Sequence, residues 1–121
     1  MSACLLALQL LTPDDTLVIP HDCYGGSYRL FENVRKRSSG LDFTFTDLSD
    51  PAKLEAAIKP ETKMVWVESP TNPLLKLVDL AAIAKIAKAH GLIAVCDNTF
   101  ASPIVQNPLD HGFDIVLHSA T

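Results

Sequence analysis

The chain has 121 residues, enough for one domain around one core, and 48% of them are hydrophobic, which excludes a disordered segment. Its formal net charge of −4 argues against a nucleic-acid or anionic-membrane surface as the main partner. No apolar stretch reaches the length of a membrane span, and three cysteines without a CxxC spacing suit free thiols in a cytoplasmic protein.

In chain order, MSACLLALQLLTPDD has no basic leader region and runs into an acidic turn, so it reads as an amphipathic or buried helix rather than a signal peptide. Thr12-Pro13-Asp14-Asp15 is a turn signal, and Leu17-Val18-Ile19 is a short apolar run. His21 and Cys23 follow it, but two ligands do not make a metal site, and none is expected. After Gly25-Gly26 a helix is predicted over about 27–37, with Arg35-Lys36-Arg37 as its solvated end and Ser38-Ser39-Gly40 as its break. Phe43-Thr44-Phe45-Thr46 alternates as a half-buried strand does. Asp50-Pro51 starts a helix, with Asp as N-cap and Pro in the first turn, that should end before Pro60.

Met64-Val65-Trp66-Val67 is continuously apolar. Asp79 can cap the next helix, which puts Leu80, Ile83, Ala84 and Ala87 on one face, Lys85 and Lys88 on the other, and ends at Gly91. Ile93-Ala94-Val95-Cys96 and Ile115-Val116-Leu117 are two further apolar runs. Strands apolar on both faces belong in a parallel sheet covered by helices on both sides, so the class is α/β, doubly wound, with a mostly parallel sheet.

Ligands of such sheets bind beyond the carboxyl ends of the strands. Four strands are followed there by PHDCYGGSY, ESPTNP, DNTFASP and HSAT. Each segment alone could be a turn or a cap; together they bring an aromatic ring, an amide, a carboxylate and hydroxyls to one edge. A flat heteroaromatic would stack on Tyr24, a protonated ring nitrogen would pair with Asp97, and a ring oxygen would meet Asn72. A phosphate would take the Ser119 and Thr121 hydroxyls. That set of groups describes pyridoxal 5'-phosphate.

PHDCYGGSYRLF, VESPTNPLLKLVDL and VCDNTFASPIVQNPLDHGFDIVLHSAT resemble the Cys/Met-metabolism (trans-sulfuration) family of fold-type-I pyridoxal-phosphate enzymes, in order and over the whole chain. The resemblance implies that Tyr24 stacks on the cofactor ring and acts as an acid/base near the substrate amine. It implies that Asn72 lies near the ring oxygen, that Asp97 pairs with the pyridine nitrogen, and that Ser119 and Thr121 hold the phosphate. Met1-Ser2-Ala3 matches the end of a phosphate-binding turn, which makes Met1 a cofactor-binding candidate.

Within the family, HDCYGGSYRLF with VESPTNPLL is most similar to the cystathionine gamma-synthase branch. The implied reaction is gamma-replacement on an O-acylhomoserine by cysteine, in methionine biosynthesis. Cystathionine gamma-lyase, methionine gamma-lyase and O-acylhomoserine sulfhydrylase are the alternatives. The family also implies a homotetramer. Its cofactor lysine follows the Ser-x-Thr motif, whereas residues 1–121 stop at Thr121 and none of Lys36, Lys53, Lys59, Lys63, Lys76, Lys85 and Lys88 takes that place. The expectation is therefore a partial cofactor-binding large domain, cut at both ends and inactive alone. A non-catalytic α/β binding module, or a phosphate-binding fold with Asp97 as a metal ligand, would show the same sequence features.

Overall fold

The computed structural model describes residues 1–120. Five strands, β1 (Thr16–Pro20), β2 (Asp42–Thr46), β3 (Thr62–Glu68), β4 (Ile93–Asp97) and β5 (Ile115–Leu117), form one sheet in the order β2-β1-β3-β4-β5. Every pairing is parallel. The chain adds β2 on one side of β1 and all later strands on the other. The order therefore reverses between β1 and β3, where a crevice opens at the carboxyl edge.

The period of two along each strand sorts the core into two layers. Leu17, Ile19, Met64, Trp66 and Val95 face one layer with Cys4, Ala7, Leu8 and Phe31. Val18, Val65, Val67, Ala94 and Cys96 face the other with Leu54, Leu80, Ile83 and Ala87. The first layer is closed by α1 (Ser2–Leu8) and by the helix after β1. The second is closed by α4 (Pro51–Ala57) and α5 (Leu80–Ala89). Both faces are therefore covered, as the apolar runs require. Trp66 anchors the first layer: it is fully buried, and Phe31 meets it edge-on with ring centroids 5.1 Å apart.

The local signals act as read. Asp50 Oδ1 accepts from the Ala52 N–H at 3.0 Å, and Asp79 Oδ1 accepts from the Ala82 N–H at 3.1 Å. Gly91, with φ +68, closes α5: its own N–H donates to Lys88 O at 3.2 Å and the Leu92 N–H donates to Ala87 O at 2.8 Å. The helix predicted over 27–37 differs in kind. It is α2 (Gly25–Tyr28), then a seven-residue π-helical stretch Arg29–Arg35, then α3 (Lys36–Ser39). Its basic end is only partly solvated, because Arg35 is half-buried and its Nη1 donates to Ser39 Oγ at 3.0 Å. A short helix α6 (Ser102–Val105) and a 3₁₀ turn Pro108–His111 lead into β5.

No described helix is long and apolar enough to cross a membrane. All three cysteines are buried and unpaired.

Candidate functional site

The carboxyl ends of β1, β3, β4 and β5 and the start of α1 surround a cavity of about 630 Å³. Of the sequence-predicted site residues, Met1, Tyr24, Asn72, Asp97 and Ser119 all line it. Thr121 lies outside the described residues. Register explains the convergence. Glu68 of β3 pairs with Asp97 of β4, and Asp97 with Leu117 of β5, so the three strands deliver their following segments at one level.

After β1 the chain turns sharply, with the Cys23 N–H donating to Pro20 O at 3.2 Å. The Tyr24 N–H then donates to both carboxylate oxygens of Glu68, at 2.8 and 3.0 Å. Glu68 is 3% exposed. Burial pushes its carboxyl up to about 7, and the neighbouring Asp97 and Asp22 add to the rise against the pull of the Tyr24 and Asn72 backbone N–H groups. A buried glutamate at the end of an apolar strand was not among the expected site residues, although ESPTNP contains it.

The loop after β3 is tied to itself. Thr71 Oγ1 accepts from the Lys76 N–H at 3.0 Å, the Thr71 N–H donates to Lys76 O at 3.0 Å, and Ser69 Oγ accepts from the Val78 N–H at 3.0 Å. These bonds hold Asn72 half-buried at the cavity wall.

Beyond β4, Asp97 Oδ1 accepts from the Thr99 N–H at 3.1 Å and from Thr99 Oγ1 at 2.6 Å. The same hydroxyl accepts from the Ser119 N–H at 2.9 Å. Thr99 thus joins the carboxylate to the serine that follows β5, a second residue that the sequence did not single out. Below it, buried Asn98 exchanges bonds with Gln106: Gln106 Nε2 donates to Asn98 Oδ1 and Asn98 Nδ2 donates to Gln106 O, each at 2.9 Å. Asn98 Nδ2 also lies 3.0 Å from His118 Nε2. Gln106 reaches back to Ser69 O at 2.8 Å, so the ends of β3, β4 and β5 are laced together.

The cavity has two carboxylates, Glu68 and Asp97, the rings of Tyr24 and Phe100, the Asn72 amide and hydroxyls, and no described lysine lines it. Lys76, the nearest candidate by sequence, instead has its Nζ 3.5 Å from His21 Nε2 on the exposed side of the loop. Among the described residues no group of three or more His, Cys, Asp or Glu side chains could hold a metal ion. Cys4 lines the cavity with its thiol pushed up, chiefly by burial, while burial pushes Cys23 and Cys96 up to about 12.

A family model described as "Cys/Met metabolism PLP-dependent enzyme" matches residues 1–121. The chain is 62% identical over all of its length to a cystathionine beta-lyase of Coxiella burnetii, covering 31% of that protein. It is 51% identical over 97% of its length to the cystathionine gamma-synthase of Escherichia coli K12, covering 30% of it. A solved cystathionine gamma-lyase from Lactobacillus plantarum, complexed with L-serine, superposes on 98% of the chain with a TM-score of 0.94 and 52% identity, again over 31% of that protein. The chain thus spans about a third of the length of the relatives it matches.

Proposed function

The chain belongs to the Cys/Met-metabolism family of pyridoxal-phosphate-dependent enzymes, and from that premise we propose that residues 1–121 form part of the cofactor-binding large domain of an enzyme acting on cystathionine or its precursors. The observation that carries the reading is the gathering of Tyr24, Asn72, Asp97 and Ser119, from four separate strand ends, around one cavity.

Pyridoxal phosphate fits this set of groups on chemical grounds. Its flat ring has a partner in Tyr24, its basic nitrogen in the Asp97 carboxylate, its ring oxygen in the Asn72 amide, and its phosphate in Ser119 and the Met1–Ala3 segment. When bound, it supplies an electron sink for charge developing at the substrate α-carbon. The protein's own groups do the rest. Asp97 would keep the proton on the ring nitrogen, its carboxylate oriented by Thr99. Tyr24 would stack on the ring, and its hydroxyl could exchange a proton with the substrate amine. Glu68 keeps the Tyr24 backbone in position.

The favoured reaction is gamma-replacement, as the HDCYGGSYRLF and VESPTNPLL motifs suggest. The cysteine thiol forms a C–S bond at the γ-carbon of an O-acylhomoserine while the C–O bond to the acyl group breaks and the carboxylic acid leaves. Cleavage of cystathionine at its β-carbon is a second reading, favoured by the 62% identity to a protein named for that activity. The two separate cleanly by assay of the protein that carries these residues. Gamma-replacement predicts cystathionine from O-acylhomoserine and cysteine. Release of homocysteine, pyruvate and ammonia from cystathionine, without the synthetic reaction, would reverse the choice, whereas cysteine, 2-oxobutanoate and ammonia would mark cleavage at the γ-carbon.

A further expectation concerns the 121-residue chain by itself. Because no described lysine lines the cavity, borohydride treatment in the presence of cofactor should give no stoichiometric adduct at a single lysine. A stoichiometric, site-specific adduct on one of the seven lysines in mass spectrometry would refute this.

A further inference from the structure

Tyr24 lines the cavity, and its ring lies close against a neighbour, Gly26, that does not. Gly26 lies two residues on, in the first turn of α2. A Cβ placed on Gly26 would stand 2.6 Å from Tyr24 Cε1 and 3.2 Å from Tyr24 Cδ1, with Met1 Cε at 3.4 Å. Carbon atoms pack favourably at about 3.5–4.0 Å, so a single methyl there would drive the ring edge away by roughly 1 Å or rotate it out of place. The Tyr24 main chain cannot follow easily, since Glu68 holds its N–H with both oxygens.

Backbone conformation does not demand a glycine at this position. Gly40, Gly91 and Gly112 adopt positive φ, whereas Gly26 is helical and does not. In a helix alanine is the better residue, so the sequence forgoes helix stability here. Gly25 provides the contrast: a Cβ on it would meet only Arg29 Nη1, at 3.3 Å, the free end of a flexible side chain.

We propose that Gly26 is a positioning residue for cofactor binding, its missing side chain being the space in which the edge of the Tyr24 ring lies. This inference rests on the reading of Tyr24 as the ring that stacks on pyridoxal phosphate. The test is a double-mutant cycle read as the dissociation constant of pyridoxal phosphate, titrated into the cofactor-free protein and followed by absorbance. Gly26→Ala should raise the constant about tenfold, the size expected for loss of one well-placed aromatic contact. Gly25→Ala should change it less than about twofold. In a Tyr24→Ala background Gly26→Ala should also add less than about twofold, because the ring it displaces is gone. Equal losses with and without Tyr24, or equal losses for Gly25→Ala and Gly26→Ala, would overturn the proposal.

A crystal structure of cofactor-free Gly26→Ala reads the steric claim independently. The Tyr24 ring should be displaced by about 1 Å or more, and an unmoved ring would overturn the proposal whatever the titrations show. An unchanged constant in Tyr24→Ala alone would instead remove the stacking role of Tyr24, and with it the role of Gly26 in cofactor binding.

Discussion

Asp97→Asn is expected to lower turnover of the cofactor-loaded enzyme by at least about a hundredfold, the range associated with loss of a positioned proton-holding group. The substitution keeps the shape and an Oδ1 that can still accept from Thr99, whose N–H and hydroxyl now reach it at 3.1 and 2.6 Å. It removes only the negative charge. If Asp97 pairs with the ring nitrogen as proposed, loss of that charge would stop favouring the protonated ring, and charge developing on the substrate would lose its sink. Thr99→Val, which removes one of the two bonds and leaves the carboxylate charged, should cost much less. Steady-state kcat with saturating cofactor is the measurement. An asparagine variant within about threefold of the parent would deny Asp97 its proposed role.

Glu68→Gln is expected to stabilise the cofactor-free protein at pH 8 by an amount that fades as the pH falls toward 5. The folded protein raises the Glu68 carboxyl from 4.5 to about 7, chiefly through burial. The folded state therefore binds its proton more tightly than the unfolded state does. Its contribution to stability is fully present below about pH 4.5 and is lost as pH rises through 7. At pH 8 a charged carboxylate is held in a buried site, with Asp97 and Asp22 near it, at a cost of roughly 3 kcal/mol relative to a neutral side chain.

Glutamine stays neutral and keeps an oxygen for the Tyr24 N–H. Urea unfolding of both proteins at pH 5, 6.5 and 8 gives the difference directly, so titrations common to the two cancel. A difference that does not change with pH would contradict a raised Glu68.

Much of this architecture is legible because the physics behind it is local. Met64 to Val67 has no polar face, so it can only be a central strand covered on both sides. Asp50 and Asp79 announce helix starts because a short carboxylate reaches the free N–H groups there. The placement of Tyr24, Asn72, Asp97 and Ser119 follows from one rule, that side chains after parallel strands collect at one edge.

What escaped was non-local. Glu68 is a polar residue at a strand end, and its hydrogen-bond partner, the Tyr24 N–H, lies far away in sequence. Thr99 carried a faint signal, since a threonine two residues after an aspartate commonly bonds back to it, but its second bond, from the Ser119 N–H twenty residues away, had none. The π-helical stretch Arg29–Arg35 follows an ordinary amphipathic sequence and has no signature that distinguishes it from an α-helix.

The scattered origin of the cavity walls has a consequence for how the protein folds. Its lining comes from the first residues, from the turn at 24, from 68–72, from 97–100 and from 117–120, and it exists only once β1, β3, β4 and β5 have found their parallel partners. Such pairings are distant in sequence and form late and slowly. A half-formed sheet offers the cofactor nothing to recognise. On the proposed reading, cofactor binding would select the fully assembled state, and at a hundredfold excess over its dissociation constant it would deepen the native basin by about 2.7 kcal/mol. The ligand would then also act as the last structural element.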